Sequence, residues 1–375
     1  GFALRWTAAE EFAVQGALAT SFGRGQAGAL SSRIAALRRG ARVTQVARLP
    51  PQGIVVASTE LPTFEDDATM LGVGSWSVYV DHAFGYGSRD DTTFGGGVED
   101  AYDFDGRDVT LGADYRLGPQ LVLGLMGGYT EKRSDFDSSA SIVDARLDAD
   151  GFSLLGYALY EAETWFVAAS AGMQLLEFDM LRRIIYPSFN PSVDAVNATA
   201  LSESDSTGYT LNLDAGYDWR RGAFTLGPFG KLQYQRIEID GFTESGDDAR
   251  GFEQTLRDQT LSPLEIAAGL RVQYVLTPAF GVVVPFARAQ INRSFDTDSR
   301  DIVAEYAVLA PQADSTARIA VRLPTESLDD TYGTLAAGAS VVLPRGWQGY
   351  AQYEQVVAMD EFDDRTITFG VRYEY

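Results

Sequence analysis

Ile367-Thr368-Phe369-Gly370-Val371-Arg372-Tyr373-Glu374-Tyr375 alternates apolar and polar side chains without a break. Successive side chains of a strand point to opposite faces. Ile367, Phe369, Val371, Tyr373 and Tyr375 therefore share one side, and Thr368, Gly370, Arg372 and Glu374 share the other. One face is entirely β-branched or aromatic and the other polar, which fits a strand between hydrocarbon and a wet interior better than a two-sided soluble core.

The same period recurs upstream from about residue 73. Trp76, Val78, Val80, Phe84 and Tyr86 alternate with Ser75, Ser77, Asp81 and Gly85; Val109, Leu111, Ala113, Tyr115 and Leu117 alternate with Asp108, Thr110, Gly112, Asp114 and Arg116. Tyr209, Leu211, Leu213, Ala215, Tyr217 and Trp219 do so against Thr210, Asn212, Asp214, Gly216 and Asp218, and Leu264, Ile266, Ala268, Leu270, Val272 and Tyr274 against Glu265, Gly269, Arg271 and Gln273. Aromatic rings gather near segment ends, at Trp76, Tyr86, Tyr115, Tyr129, Tyr160, Trp165, Tyr217, Trp219, Tyr274 and Trp347. Amphipathic rings settle there at a membrane–water boundary.

Connection lengths turn these strands into an architecture. Short turns at 118–120, 161–163, 220–222, 277–279 and 344–346 alternate with long polar stretches near 87–107, 133–149, 179–206, 241–261, 295–329 and 359–365. Outer-membrane barrels have this asymmetry, with tight periplasmic turns on one rim and longer loops on the other. Five turns and six loops join twelve strands. The expectation is an all-β chain: an antiparallel transmembrane β-barrel of about twelve strands over residues 73–375, in the outer membrane of a Gram-negative bacterium. Pro228 and Pro285 suggest bulges, since proline cannot donate to a ladder.

Composition sets further bounds. A net charge of −22 and a pI near 4.4 argue against nucleic acid as a partner, because phosphate recognition calls for basic stripes. No window reaches the roughly 18 consecutive apolar residues of a membrane helix. A spanning sheet must close, because an open edge in lipid leaves backbone groups unsatisfied. Cysteine is absent, which removes disulfides, thiol nucleophiles and thiolate metal sites. The start at Gly1, without methionine or a charged-then-apolar leader, fits a processed or truncated product.

Residues 1–72 follow another pattern. Thr7 and Glu10 make a possible capping box for a helix over about 8–21, and a second helical run over 26–39 follows a glycine break at Gly23 and Gly25. Leu30, Ile34 and Leu37 form its apolar stripe, with Arg33, Arg38 and Arg39 off it. Two arginines followed by Gly40 suit a helix C-terminus. Arg42, Arg48 and Pro50-Pro51 come next. Residues 1–48 read as a helical segment, a plug or passenger linker, and 49–72 as a tether into the first strand.

Ala29-Leu30-Ser31-Ser32-Arg33-Ile34-Ala35-Ala36-Leu37-Arg38, a tether, about twelve amphipathic strands and a terminal aromatic strand together resemble the translocator domain of an autotransporter of Gram-negative bacteria. The resemblance implies that the helix occupies the barrel lumen and that the domain exports or anchors an N-terminal passenger at the cell surface. It implies contact with outer-membrane lipid and lipopolysaccharide, and an insertion machinery that reads the terminal strand through Phe369, Val371, Tyr373 and Tyr375. A lumen between those of filled eight-stranded barrels and wide 16- to 18-stranded ones has room for one helix of about 10–12 Å. Charges withdrawn from bulk water need partners. Arg33, Arg38, Arg39 and Arg42 are therefore expected to pair with some inward-facing members of Asp81, Asp114, Asp214, Asp218, Glu265 and Glu354. Autotransporters that cut themselves by asparagine cyclisation carry that asparagine in the luminal helix; residues 1–72 contain none.

Chemistry finds little foothold. His82 is the only histidine and shares the outward alternation of Val78, Val80 and Phe84. Gly23-Arg24-Gly25-Gln26-Ala27-Gly28 matches a dinucleotide fingerprint in letters, but a helix precedes it where a strand is required. Asp103, Asp105 and Asp108 offer alternating oxygens without the distal glutamate of a calcium loop, and Arg182-Arg183 and Arg220-Arg221 suit hydrated turns. No catalytic residue, metal or cofactor is expected. Two further readings stand beside the translocator: a free-standing diffusion channel gated by its N-terminal segment, and a structural subunit docking through acidic loops.

Overall fold

The computed structural model describes residues 12–47, 74–94, 97–99, 101–136, 143–186, 192, 194–246, 253–295, 301–306, 320–324, 330–360 and 362–374. The Thr7/Glu10 capping box, the 49–72 tether and Tyr375 lie outside these residues, as do the side chains of Arg39 and Arg42.

Twelve strands close a barrel. In chain order they are β1 (Trp76–Arg89), β2 (Tyr102–Arg116), β3 (Leu121–Phe136), β4 (Val143–Glu161), β5 (Trp165–Tyr186) and β6 (Val196–Tyr217). They continue with β7 (Phe224–Ile239), β8 (Leu264–Tyr274), β9 (Val282–Phe295), β10 (Thr331–Val342), β11 (Trp347–Val357) and β12 (Phe362–Glu374). Each pairs antiparallel with its chain neighbours, and β12 closes on β1 from Ser77 opposite Glu374 to Arg89 opposite Phe362. Every backbone group along the seam thus gains a partner, which is what lipid demands. The short turns share the rim where β1 begins and β12 ends. Two of them use left-handed backbone, Gly222 at φ 59° and the Arg345-Gly346 pair at 67° and 80°. Rings girdle this rim in cross-strand pairs, with centroids 4.8 Å apart for Trp76–Tyr115 and 4.9 Å for Trp347–Tyr373.

The proline expectation is corrected. Pro228 stands in register opposite Leu270, and Pro285 opposite Ala339. Each sits where its other ladder is interrupted: pairing of β7 toward β6 breaks between Leu226 and Phe229, and pairing of β9 toward β8 ends at Phe286. The missing N–H falls where no acceptor is waiting.

Much of what reads as long loop is strand. β5 and β6 are each 22 residues long, about twice the 9–11 residues a tilted strand needs to cross hydrocarbon. Along β5 the faces exchange character. Below Leu175 the outward side chains are apolar, Val167, Met173 and Leu175, and Ser170 and Gln174 point inward. Above it Glu177, Asp179 and Arg183 face out, while Leu176, Phe178 and Met180 are buried inside. The outer half is thus built like a soluble barrel with an apolar interior, and the flip marks the membrane boundary. Lysine at Leu211, outward on β6 and 54% exposed, should cost about 2–4 kcal/mol, against about 0–1 at Leu181, outward and 41% exposed above the boundary. Urea unfolding in lipid vesicles measures both, and equal costs would misplace the boundary.

Among the described residues one helix, α1 (Ala13–Ala47), threads the barrel. The expected break at Gly23 and Gly25 and the expected stop at Gly40 are absent. Glycine costs a helix interior about 1 kcal/mol, and wall contacts outweigh that here. A Cβ at Gly23 would lie 2.1 Å from Gln235 Oε1, so this glycine lets the helix approach β7. There Gln233 Nε2 donates to the Gly23 carbonyl at 3.0 Å, and from β5 Gln174 Nε2 donates to that of Ala19 at 2.9 Å.

The start of α1 lies in the outer half, where Phe12, Leu18 and Phe22 are buried among Leu147, Phe178 and Ile237. Each large side chain so buried stabilises the docked helix by about 1.5–3 kcal/mol. A small sheet of residues 242–243, 254–256, 301–306 and 320–324 adds Leu256 and Ile302 to the same cluster, with Phe12 edge-on to Phe242 at 5.0 Å.

Candidate functional site

The candidate site is the charged seam between α1 and the barrel wall. Alternation on each strand turns one residue in two toward the lumen, and the helical period turns Arg24, Ser31, Arg33 and Arg38 out to meet them. Arg33, 2% exposed, donates from Nε to Asp114 Oδ2 on β2 at 2.8 Å, and a second nitrogen reaches the same oxygen. That nitrogen also donates to Ser77 Oγ at 2.6 Å. Ser77 in turn donates to Asp114 Oδ1 at 2.5 Å, and the Tyr157 hydroxyl of β4 donates to Oδ2 at 2.8 Å. The guanidinium lies over the Tyr79 ring, 4.3 Å from its centroid. A carboxylate with this many donors is a fully satisfied buried acceptor, the condition under which an interior ion pair is tolerated.

Toward the short-turn rim Arg38 pairs with Asp218 and, at 3.3 Å, with Glu161. Its guanidinium stacks 3.8 Å from the Phe166 centroid. Asp218 also takes Arg271 at 2.8 Å, so one carboxylate binds helix and wall together. Higher up, Arg24 Nε lies 3.1 Å from Glu265, which also accepts the Tyr332 hydroxyl at 2.7 Å.

The six inward acids named from sequence divide into three groups. Asp114, Asp218 and Glu265 meet helix arginines. Asp214 accepts a 3.5 Å hydrogen bond from Ser31 of the helix, and Glu354 pairs with Arg288 of the wall. Asp81 is buried beside the β12–β1 seam, lining a small cavity with Arg33 and Arg372. Sequence reasoning missed Arg24, because it fell in the expected glycine break, and Glu161, because it read as part of a turn. A helix continued through Gly23 would have placed Arg24 nine residues above Arg33, two and a half turns along α1.

Of the terminal-strand residues, Phe369 and Val371 face outward beside His82 and Val80, and Tyr373 packs on Trp347. His82 stacks on Phe84 with centroids 4.2 Å apart, on the outer face. Asp103, Asp105 and Asp108 all lie on β2, where alternation sends the first two outward and the third into the lumen. Arg182 and Glu244 form a fully buried ion pair above the membrane boundary, with Arg182 Nε at 2.9 Å. Arg182 is therefore not in a hydrated turn.

A cavity of about 470 Å³ remains beside α1, lined by Arg24, Lys132, Glu265, Tyr332 and Glu354 among others. Hydrogen bonds to β5, β6 and β7 hold the helix on that side, and the space runs past β8–β12 to β1 and β2, where Asp81 and Asp108 line it.

A family model described as autotransporter beta-domain matches residues 82–354. The chain is 25% identical over 236 residues to esterase EstA of Pseudomonas aeruginosa, a match covering 61% of this chain and 33% of EstA. It thus spans about a third of the curated relatives it matches. The translocator domain of autotransporter NalP from Neisseria meningitidis superimposes with a TM-score of 0.58 at 18% identity, covering 92% of this chain and 97% of that one. The β domain of the Bordetella autotransporter BrkA gives 0.52 at 18% identity, covering 79% and 98%.

Proposed function

The chain belongs to the autotransporter β-domain family, and from that premise we propose that it carries an N-terminal passenger to the cell surface and holds it there through the parked luminal helix. As a member of that family it is a translocator domain of the Gram-negative outer membrane. The observation that carries the passenger reading is the direction of α1. Its first turn is buried at the outer mouth and Arg38 at the short-turn rim, so the polarity of the helix aims whatever precedes it at the cell exterior. In this reading residues 1–48 act as plug and passenger linker, and 49–72 as the tether that leads back to β1.

The barrel supplies a path and an anchor, and covalent chemistry belongs to the passenger. EstA, an esterase by name, is matched over only a third of its length, which leaves room in it for a catalytic part outside the shared barrel. Phe369, Val371, Tyr373 and Tyr375 serve in this proposal as the signal read by the insertion machinery. The outward apolar belt meets lipid, and the charged outer faces of β4–β6 meet lipopolysaccharide.

A reporter domain fused ahead of Gly1 behind an export signal tests the proposal. Protease added to intact cells should release the reporter while the barrel keeps its heat-modifiable folded form. A folded barrel in the outer membrane with the reporter retained in the periplasm refutes passenger export.

A further inference from the structure

We infer that the barrel wall carries a receptor for a guanidinium cation at the short-turn rim, built by Phe166, Asp218 and Glu161 and filled by Arg38 of α1. The inference rests on the translocator reading, in which α1 must hold a surface passenger against outward pull. Its parts come from separate places on the wall: Glu161 ends β4, Phe166 lies at the start of β5, and Asp218 follows β6. Each meets a different feature of one cation. The Phe166 centroid lies 3.8 Å from the guanidinium carbon of Arg38. Glu161 stands 3.3 Å from its Nε, and Asp218 takes a terminal nitrogen. Arg38 is 2% exposed and Asp218 1%, so water competes for neither.

The wall holds this arrangement by itself. Arg271 of β8 donates to Asp218 Oδ1 at 2.8 Å and lies over the same Phe166 ring, 4.8 Å from its centroid. Carboxylate and ring are therefore tied together without the helix. Gly227 of β7 keeps the room open, because a Cβ there would stand 2.8 Å from Asp218 Oδ1 and 2.9 Å from Arg271 Nε. Arg220 is a second wall cation, 3.7 Å from Asp218 Oδ2.

Among the described side chains in contact here, Arg220 and Arg271 balance Asp218 and Glu161, so net charge alone does not draw in a third cation. Shape does. A guanidinium is flat, and it can lay its face on the ring while its edge meets two carboxylates; an ammonium is a point charge with neither face nor edge. The receptor therefore selects arginine over lysine. A small cation can also reach it from the lumen. A cavity of about 60 Å³ lined by Arg38, Phe166 and Arg271 shares Asp214 and Arg288 with the larger luminal space.

The test is chemical rescue on the purified full chain in detergent micelles, read by hydrogen exchange of the α1 amides. Arg38→Ala should speed that exchange about tenfold or more. Millimolar methylguanidinium should slow it again by about threefold or more, and methylammonium at the same concentration should not. Arg38→Lys should exchange nearly as fast as Arg38→Ala. Phe166→Leu keeps both carboxylates; with arginine at position 38 it should speed exchange about tenfold, and with lysine there less than about threefold, which keeps the receptor testable if Arg38→Ala does not fold. Equal recovery in methylammonium, no recovery in either cation, or a lysine variant as protected as the parent chain overturns the receptor. The reporter fusion reads export separately. Failed rescue with the reporter at the cell surface counts against the receptor alone, and intact rescue with the reporter kept in the periplasm counts against passenger export alone.

Discussion

Asp114→Ala should loosen the luminal helix by about 3–5 kcal/mol, whereas Arg33→Met, at the other end of the same ion pair, should cost about 1–3 kcal/mol. The asymmetry comes from what each change leaves behind. Without Asp114, the Arg33 guanidinium stays buried with no carboxylate, and the hydroxyls of Ser77 and Tyr157 lose the acceptor they share. Without Arg33, the Asp114 carboxylate still accepts from both hydroxyls, so its charge is partly satisfied and only the guanidinium contacts and the Tyr79 stack disappear. Native-state trypsin cleavage within α1, on protein that retains its folded barrel, reports the opening free energy of the helix. Equal cleavage rates in the two variants, or a faster rate in Arg33→Met, would show that the network does not carry the docking energy described.

The barrel was legible because period two is a property of the backbone that lipid converts into composition. Residues 367–374 carry the whole argument in one strand: the outward residues meet hydrocarbon and the inward ones meet the lumen. Above the membrane the backbone alternates as before, but the solvent changes, and apolar residues move to the inner face. Leu175 and Leu176 are adjacent and point opposite ways, which in sequence is only a slip of phase. A single phase of alternation ends there, which is why 179–206 reads as loop although most of it is strand.

The helix shows the converse failure. Local propensity marked Gly23, Gly25 and Gly40 as breaks, yet the helix runs through all three, and at Gly23 tertiary contact accounts for it, since Gln174, Gln233 and Gln235 lie far from α1 in sequence. Arg33 and Arg38 were found because they sit beside an apolar stripe. Their partners could be narrowed to a set of inward acids but not assigned, because pairing depends on the rotation of the helix about its axis, which no local pattern encodes. The prolines mislead for a related reason. Pro228 and Pro285 were judged by the donor they lack, whereas what decides is whether a neighbouring ladder needed it, and that is known only once the strands are paired.

Deleting residues 12–47 should raise single-channel conductance in a planar bilayer about tenfold, given a barrel wide enough to hold a helix of about 10–12 Å. Two obstructions leave together: α1 along the lumen, and the apolar closure at the outer mouth where Phe12, Leu18 and Phe22 pack on Leu256 and Ile302. The barrel should survive the loss. Asp114 and Glu265 would no longer be buried against helix arginines but would face water filling the space, where a hydrated carboxylate needs no ion partner, and Asp218 would keep Arg271 of the wall. Their release has a second consequence. Arg24, Arg33 and Arg38 depart while the three acids they met remain, so the opened pore should shift toward cations, seen as a displaced reversal potential in a salt gradient. A folded deletion barrel with unchanged conductance would refute the plug. A conductance gain without the selectivity shift would keep the plug and refute the pairing, because only the paired acids link the two observations.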